Sequence, residues 1–257
     1  MAVIEVRRSG SVGTVVLNRP ERMNALIVEM REGIANAFDE FATDDEIRAI
    51  ILTAAGPAFC ASGDVSKMGA FTPASAKKRL KPAHRMVLSV ANIEKPVVAA
   101  VRGAVAGIGW SLALASDVVV ASRTAKFSQV FKKVGVVPDG GAIYFLTQSL
   151  GVLRAKDLVY SARTVSAQEA FDLGLVTKLV DDDALEAEAE KIAEELAAGP
   201  TFAFGNAKKL FKAMVQPSLE TFLDMETWAQ GLTLLSDDHK EGAAAFLQKR
   251  KAQFRGQ

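Results

Sequence analysis

The sequence predicts a mixed α/β core followed by a helical C-terminal region. Three observations carry that reading. Strand-like segments run only as far as residue 180, two glycine-rich turns each lead from a strand into a helix, and the pattern beyond Asp183 is almost wholly helical.

The 257 residues, 49% of them hydrophobic, are enough to bury one large core. The 31 Lys and Arg offset 30 Asp and Glu to a net charge of +1, which removes the long-range field expected of a protein working on nucleic acid or an anionic membrane. Basic and aromatic residues are not interleaved as in a nucleic-acid binder, so an anionic ligand must be held locally. Cys60 is the single cysteine, which excludes an internal disulfide or a cysteine-based metal cluster. No metal site is expected. Residues 1–8 lack an apolar signal core, and the longest apolar stretches are broken by charge or glycine before reaching membrane-spanning length. A cytoplasmic protein with no membrane contact is the expectation.

Val3 to Arg7 alternate, and after Ser9-Gly10-Ser11 a second extended run over residues 13–17 completes a hairpin. Residues 27–41 carry Ile34, Phe38 and Phe41 at helical spacing, and residues 47–53 form a buried strand. A loop over residues 54–63 leads into helical segments that end at Ile93, and Lys95-Pro96 precedes a strand over residues 97–101. Short helix 111–115, strand 118–121, helix 142–150 and strand 176–180 follow. Gly199-Pro200 and Gln216-Pro217 punctuate the helical tail. The boundary expected is a catalytic core over residues 1–198 and a helical region over residues 199–257.

The turn from Ala58 through Ala61, Ser62, Gly63 and Asp64 replaces large side chains by small ones where a strand gives way to a helix beginning near Val65. Small residues let a ligand approach the backbone, and Asp64 is placed to cap the helix that follows. The second turn, Gly103 to Trp110, has the same character. Helix N-termini concentrate unpaired N–H donors and positive potential, which suits an oxyanion formed during reaction. Neither glycine spacing matches a dinucleotide or Walker phosphate loop.

In combination, Leu17-Asn18-Arg19-Pro20 with Asn24-Ala25-Leu26, the Ala58–Asp64 turn, Lys95-Pro96-Val97 through Asp117, Gly135–Gly141 and the basic Lys249-Arg250-Lys251 resemble the crotonase (enoyl-CoA hydratase/isomerase) family over nearly the whole chain. The resemblance implies a crotonase-like spiral of β–β–α turns with a helical C-terminal oligomerisation region. It implies an acyl-CoA thioester partner, with coenzyme A belonging to the substrate and no separate cofactor, and a homotrimer or dimer of trimers. Residue by residue, it makes the N–H groups of Ala61 and Ile108 the oxyanion donors. Asn24, Ala25 and Leu26, with Ala61, Ser62, Gly63 and Asp64, become the coenzyme-binding loops, and Lys249 meets the nucleotide end across a subunit boundary.

Hydratases of the family carry two glutamates where this chain has Ser111 and Phe131, neither of which is a useful base at neutral pH. Asp139, in Val136-Val137-Pro138-Asp139-Gly140-Gly141, stands where some family isomerases keep their base. One carboxylate can take a proton from C2 and return it at C4, so the resemblance points to a 3-enoyl-CoA to 2-enoyl-CoA isomerase with Asp139 as base. Trp110 and Phe131 are the candidate acyl-pocket residues. The alternatives are an atypical hydratase or other crotonase reaction, and a CoA-ester-binding protein without turnover. His84 and His239 are given no role, and Cys60 is read as a small buried hydrophobe.

Overall fold

The computed structural model describes residues 2–69, 71–213 and 218–253. Strands β1 (Ile4–Ser9) and β2 (Val12–Leu17) form the expected antiparallel hairpin, with Ile4 opposite Leu17. Helix α1 (Val28–Thr43) then returns the chain so that β3 (Ala49–Ala54) lies parallel to β2. Helix α2 (Pro73–Asn92) makes the next crossover, to β4 (Val97–Val101). Short strand β5 (Ala104–Ala106), helix α3 (Ile108–Leu114) and β6 (Val118–Ser122) follow, and then β7 (Lys126–Ser128). Helices α4 (Ala142–Leu150) and α5 (Val152–Ser161) lead through β8 (Val165–Ser166) and α6 (Ala167–Asp172) to β9 (Lys178–Val180). Helices α7 (Leu185–Ala198), α8 (Thr201–Ala213), α9 (Leu219–Thr233) and α10 (Asp237–Leu247) complete the chain.

The strands form a six-stranded sheet, ordered β1-β2-β3-β4-β6-β9, and a three-stranded sheet, β5-β7-β8. Parallel strands carried by crossover helices are covered on both faces and so read as continuous apolar runs. In β3, Ile50 and Leu52 face the main core with Met30, Ile34, Phe38 and Phe41 of α1, whereas Ala49 and Ile51 face the other side. There they meet Leu185, Ala189, Ala193 and Ala197 of α7, a stripe of period four whose small side chains let the helix lie close to the sheet. Arg48 ties the start of β3 to the junction of α7 and α8 by donating to the Gly199 carbonyl at 2.6 Å.

Several expectations shift. The helix expected from Val65 is a single 3-10 turn, Val65–Lys67, and α2 starts only at Pro73, after a reciprocal capping box between Thr72 and Ser75. Helix α3 begins at Ile108 rather than Ser111, directly on the second glycine turn. Strands β5, β7 and β8 and helices α5 and α6 went unread; these strands have only two or three residues each, too few for alternation to show. Gln216-Pro217 lies outside the described residues. None of the described helices is long and apolar enough to cross a membrane.

Phe38 is 1% exposed at the centre of the α1–sheet contact. Phe38→Ala is expected to lower stability by about 3–5 kcal/mol, read as a lower urea midpoint with an unchanged slope.

Candidate active site

Cys60 joins the two glycine turns. Its N–H donates to the Ala104 carbonyl at 2.9 Å, and its own carbonyl accepts from Ala106 N–H at 2.8 Å, a parallel bridge to Val105. The turns are then so close that side chains are excluded. A Cβ on Gly107 would lie 2.2 Å from Ser62 Oγ, and one on Gly109 would lie 2.5 Å from Cys60 Cβ. Gly107 also has φ 51°, which opens α3 from a conformation suited to glycine. Ser62 itself holds φ 94°, a strained value for a residue with a side chain.

Ile108 is the first residue of α3, and its N–H has no acceptor among the described residues. The Ala61 N–H differs from expectation: it donates to the Met23 carbonyl at 2.9 Å. Met23 has φ 49°, a left-handed turn position. In this conformation the Ile108 N–H is unpaired among the described residues, on a residue 1% exposed and outside the cavity lining, and the Ala61 N–H is engaged.

Asp139 stands beside these turns and is 5% exposed. Four residues fix it and its turn. Ser111 Oγ donates to its backbone carbonyl at 3.2 Å, and Ile108 packs on the next residue, where a Cβ on Gly140 would come within 2.7 Å of Ile108 Cγ1. From α9, Glu226 accepts the N–H groups of Gly140 and Gly141 at 2.9 and 3.1 Å. Four residues further along that helix, Gln230 Nε2 donates to Asp139 Oδ2 at 3.3 Å. Asp139 Oδ1 is buried with no hydrogen-bond partner among the described residues.

Burial pushes the Asp139 carboxyl above its ordinary range. Arg31, Arg79, His84 and the Gln230 hydrogen bond pull it down but do not reverse the shift. Glu226 is raised as well, first by burial and further by the charge of Asp139, against the opposing His84, whose Nε2 lies 3.5 Å from Glu226 Oε1.

A cavity of about 410 Å³ opens beside Asp139. The Ala61–Ser66 turn, Met23 and Ala25 line one part of it, Phe131, Val134 and Val136 another, and Arg31, Arg79, Gln230, Phe246 and Leu247 the rest. Glu226 is not in its lining.

The model of the family described as Enoyl-CoA hydratase/isomerase matches residues 7–257. The chain belongs to the enoyl-CoA hydratase/isomerase family. It is 38% identical to the 1,2-epoxyphenylacetyl-CoA isomerase of Escherichia coli (strain K12), covering 95% of each chain. It is 37% identical to a probable enoyl-CoA hydratase of Rhodobacter capsulatus, covering 96% of each. Among solved structures, an enoyl-CoA hydratase from Mycobacterium avium subsp. paratuberculosis K-10 superposes with a TM-score of 0.90 at 35% identity, over 99% of both chains. The crotonase fold expected from the sequence is thereby shown, and the chain is an enzyme of this hydratase/isomerase family.

In this family member the structure brings Ala25, Ala61, Ser62, Gly63, Asp64, Phe131 and Asp139 to the cavity. Asn24 is not a ligand-facing residue: its fully buried side chain accepts from Arg19 N–H at 2.7 Å and donates to the Ala55 and Ala58 carbonyls at 2.9 and 2.8 Å. It clamps the exits of β2 and β3 together. Leu26 is core, its N–H given to the Ser62 carbonyl at 2.8 Å. Trp110 also leaves the acyl pocket for the core, with its ring 5.3 Å from that of Phe127. Lys249 is exposed and lies outside the cavity lining. Asp64 caps the 3-10 turn through Ser66 N–H and pairs with Arg19 at 2.8 Å; burial opposes its ionisation, but those contacts hold its carboxyl below the usual range.

Sequence reading missed Arg31, Arg79, His84, Glu226 and Gln230. Arg31 carried a signal, since it sits three residues before Ile34 on the buried stripe of α1. Glu226 and Gln230, four apart on α9, also share one helix face. His239, given no role, is 4% exposed and its Nδ1 meets the Val134 carbonyl at 2.8 Å, pinning α10 to the segment that carries Phe131. Cys60 is buried, and burial pushes its thiol up to about 12.

A carboxyl whose folded pKa is raised stabilises the fold only below its ordinary value of 3.8, and that contribution is lost as pH rises through the folded value. Asp139→Asn removes this loss. The variant is expected to melt above the parent at pH 7 and above, with the difference shrinking toward pH 4. Thermal unfolding across that range checks it, and a gain that grows on acidification would contradict the burial of an ionisable Asp139.

Proposed function

We propose that this enzyme moves a double bond in an acyl-CoA thioester from the 3 to the 2 position, with Asp139 as the single recycling base. The observation that carries the reading is Asp139 Oδ1, a buried, unpartnered carboxylate oxygen on a residue lining the cavity. Asp139 takes a proton from C2, the electron pair passes into the thioester as a dienolate, and the same carboxyl returns the proton at C4, leaving the double bond between C2 and C3. Desolvation makes Asp139 a stronger proton acceptor than an exposed aspartate. The developing oxyanion is received by Ile108 N–H at the start of α3, where the helix potential is positive. Ala61 N–H joins it when the thioester oxygen takes the place of the Met23 carbonyl, a rearrangement of a turn already strained at Ser62.

Hydration is disfavoured by the same contacts. The Ser111 hydroxyl is used in holding the Asp139 carbonyl, Phe131 has no acidic group, and both oxygens of Glu226 are engaged away from the cavity. The relative named 1,2-epoxyphenylacetyl-CoA isomerase supports isomerisation of a CoA ester as the reaction class. A binding protein without turnover has no use for a desolvated carboxylate, which costs stability.

A 3-enoyl-CoA is expected to isomerise faster than the matching 2-enoyl-CoA is hydrated, and Asp139→Asn to slow isomerisation by about a hundredfold or more while leaving ester binding nearly unchanged. The ultraviolet band of the conjugated thioester rises in the first reaction and falls in the second. Faster hydration, or full turnover by the variant, would refute the assignment.

We further propose a cytoplasmic homotrimer or dimer of trimers, in which Lys249 meets the nucleotide end of the coenzyme bound by a neighbour. Phe202, Leu210 and Phe211 on α8, 84%, 70% and 72% exposed, give this helix an apolar outer face suited to self-association. Light scattering at micromolar concentration is expected to return three or six chain masses, and a stable monomer would reject the assembly.

A further inference from the structure

We infer that the substrate's acyl group ends in a carboxylate, which Arg31 and Arg79 receive at the Asp139 end of the cavity. The inference rests on the proposed reaction in one respect: proton transfer puts acyl carbons, not the nucleotide, beside Asp139.

Arg31 is 3% exposed, yet its Nε is buried without a hydrogen-bond partner among the described residues. Arg79 Nη1 is buried and unpartnered in the same way, while its guanidinium carbon stacks 5.5 Å over the Phe71 ring. Both residues line the cavity. Neither forms an ion pair with a carboxylate among the described residues. The two acids nearby are committed elsewhere: Glu226 to the Gly140 and Gly141 N–H groups, and Asp139 to Gln230 and the reaction. Burial lowers the pKa of both arginines, and each is in electrostatic reach of Asp139; the charge of Arg31 depresses Arg79 further.

Arg31 Nε and Arg79 Nη1 are each removed from water without an acceptor among the described residues, which is costly, and the two like charges lining one space repel each other. Supporting Asp139 does not require this arrangement, since one cation would balance one carboxylate. A second anion between the two guanidiniums supplies the missing acceptors, and a carboxylate matches their planar donor pairs. Arg31 Nη2 is also within 3.2 Å of where a Cβ on Gly63 would stand, so this glycine leaves the guanidinium its place against the first turn.

Competition binding with saturated, unreactive thioesters tests the inference without turnover. The probes are dicarboxylic acyl-CoAs of four to eight carbons, each against its uncharged monocarboxylic counterpart, with free CoA as reference. At least one dicarboxylic ester is expected to bind about ten- to a hundredfold tighter than its counterpart. Arg79→Gln and Arg31→Gln are each expected to abolish that preference while leaving free CoA binding unchanged. Arg79 is partly exposed, so its variant keeps the test sound if Arg31→Gln fails to fold. No preference at any length would overturn the inference, as would a preference that survives both substitutions. Equal weakening of free CoA and both ester types would overturn it too, by assigning the guanidiniums to coenzyme phosphates. Because binding alone is read, a failure here is distinct from a failure of the isomerase assignment, which would appear as 3-enoyl-CoA left unconverted.

Discussion

Cys60 gives and accepts one backbone hydrogen bond each on either side of Val105. That pair of bonds sets the distance between two turns more than forty residues apart, and most of the site is measured from it. With Cys60 and Val105 in register, Ser62 must lie against Gly107 and Cys60 against Gly109, so neither glycine can carry a side chain. Helix α3 then starts at a defined point with a free N–H at Ile108. One turn later Ser111 reaches the Asp139 carbonyl, and Ile108 fills the space beside Gly140. Asp139 is thus positioned through contacts to its backbone, which leave its Oδ1 unoccupied.

Much of this was legible in the sequence where the cause is local. The strand at residues 97–101 was read to the residue because Lys95-Pro96 and Arg102-Gly103 bound an unbroken apolar run. The glycines of the two turns announced a close approach, and their contacts with Ser62 and Cys60 are that approach. Asp139 stood out only through the resemblance to family isomerases, because an Asp-Gly after an apolar stretch is by itself a common turn. What could not be read is convergence. Arg31, Arg79, Glu226 and Gln230 lie on three different helices, and only the packing of α1, α2 and α9 shows that they share one space. Asn24 and Leu26 were misplaced for a related reason: a conserved-looking motif reads the same whether its side chains touch a ligand or, as here, the loops that hold the ligand site.

The electrostatics of the site follow from its dryness. Asp139 and Glu226 are both raised by burial, and the cations around them offset only part of that cost. Ser111 and Phe131 complete the contrast between this chain and a two-carboxylate site. The first braces the Asp139 carbonyl, and the second is an apolar wall packed beside Gly107. Family membership leaves hydration and isomerisation open, and these two side chains are where this chain departs from a two-carboxylate arrangement, since neither accepts a proton at neutral pH.

Helix α9, in the last fifth of the chain, supplies the Glu226 and Gln230 hydrogen bonds to the Asp139 turn. A ribosome makes the chain from the N-terminus, so the six-stranded sheet and both glycine turns are complete before α9 emerges. Until then Gly140 and Gly141 lack their Glu226 acceptor, and Asp139 lacks its Gln230 donor. The polar contacts that complete the Asp139 turn therefore arrive late in synthesis, after the scaffold of the pocket has been made.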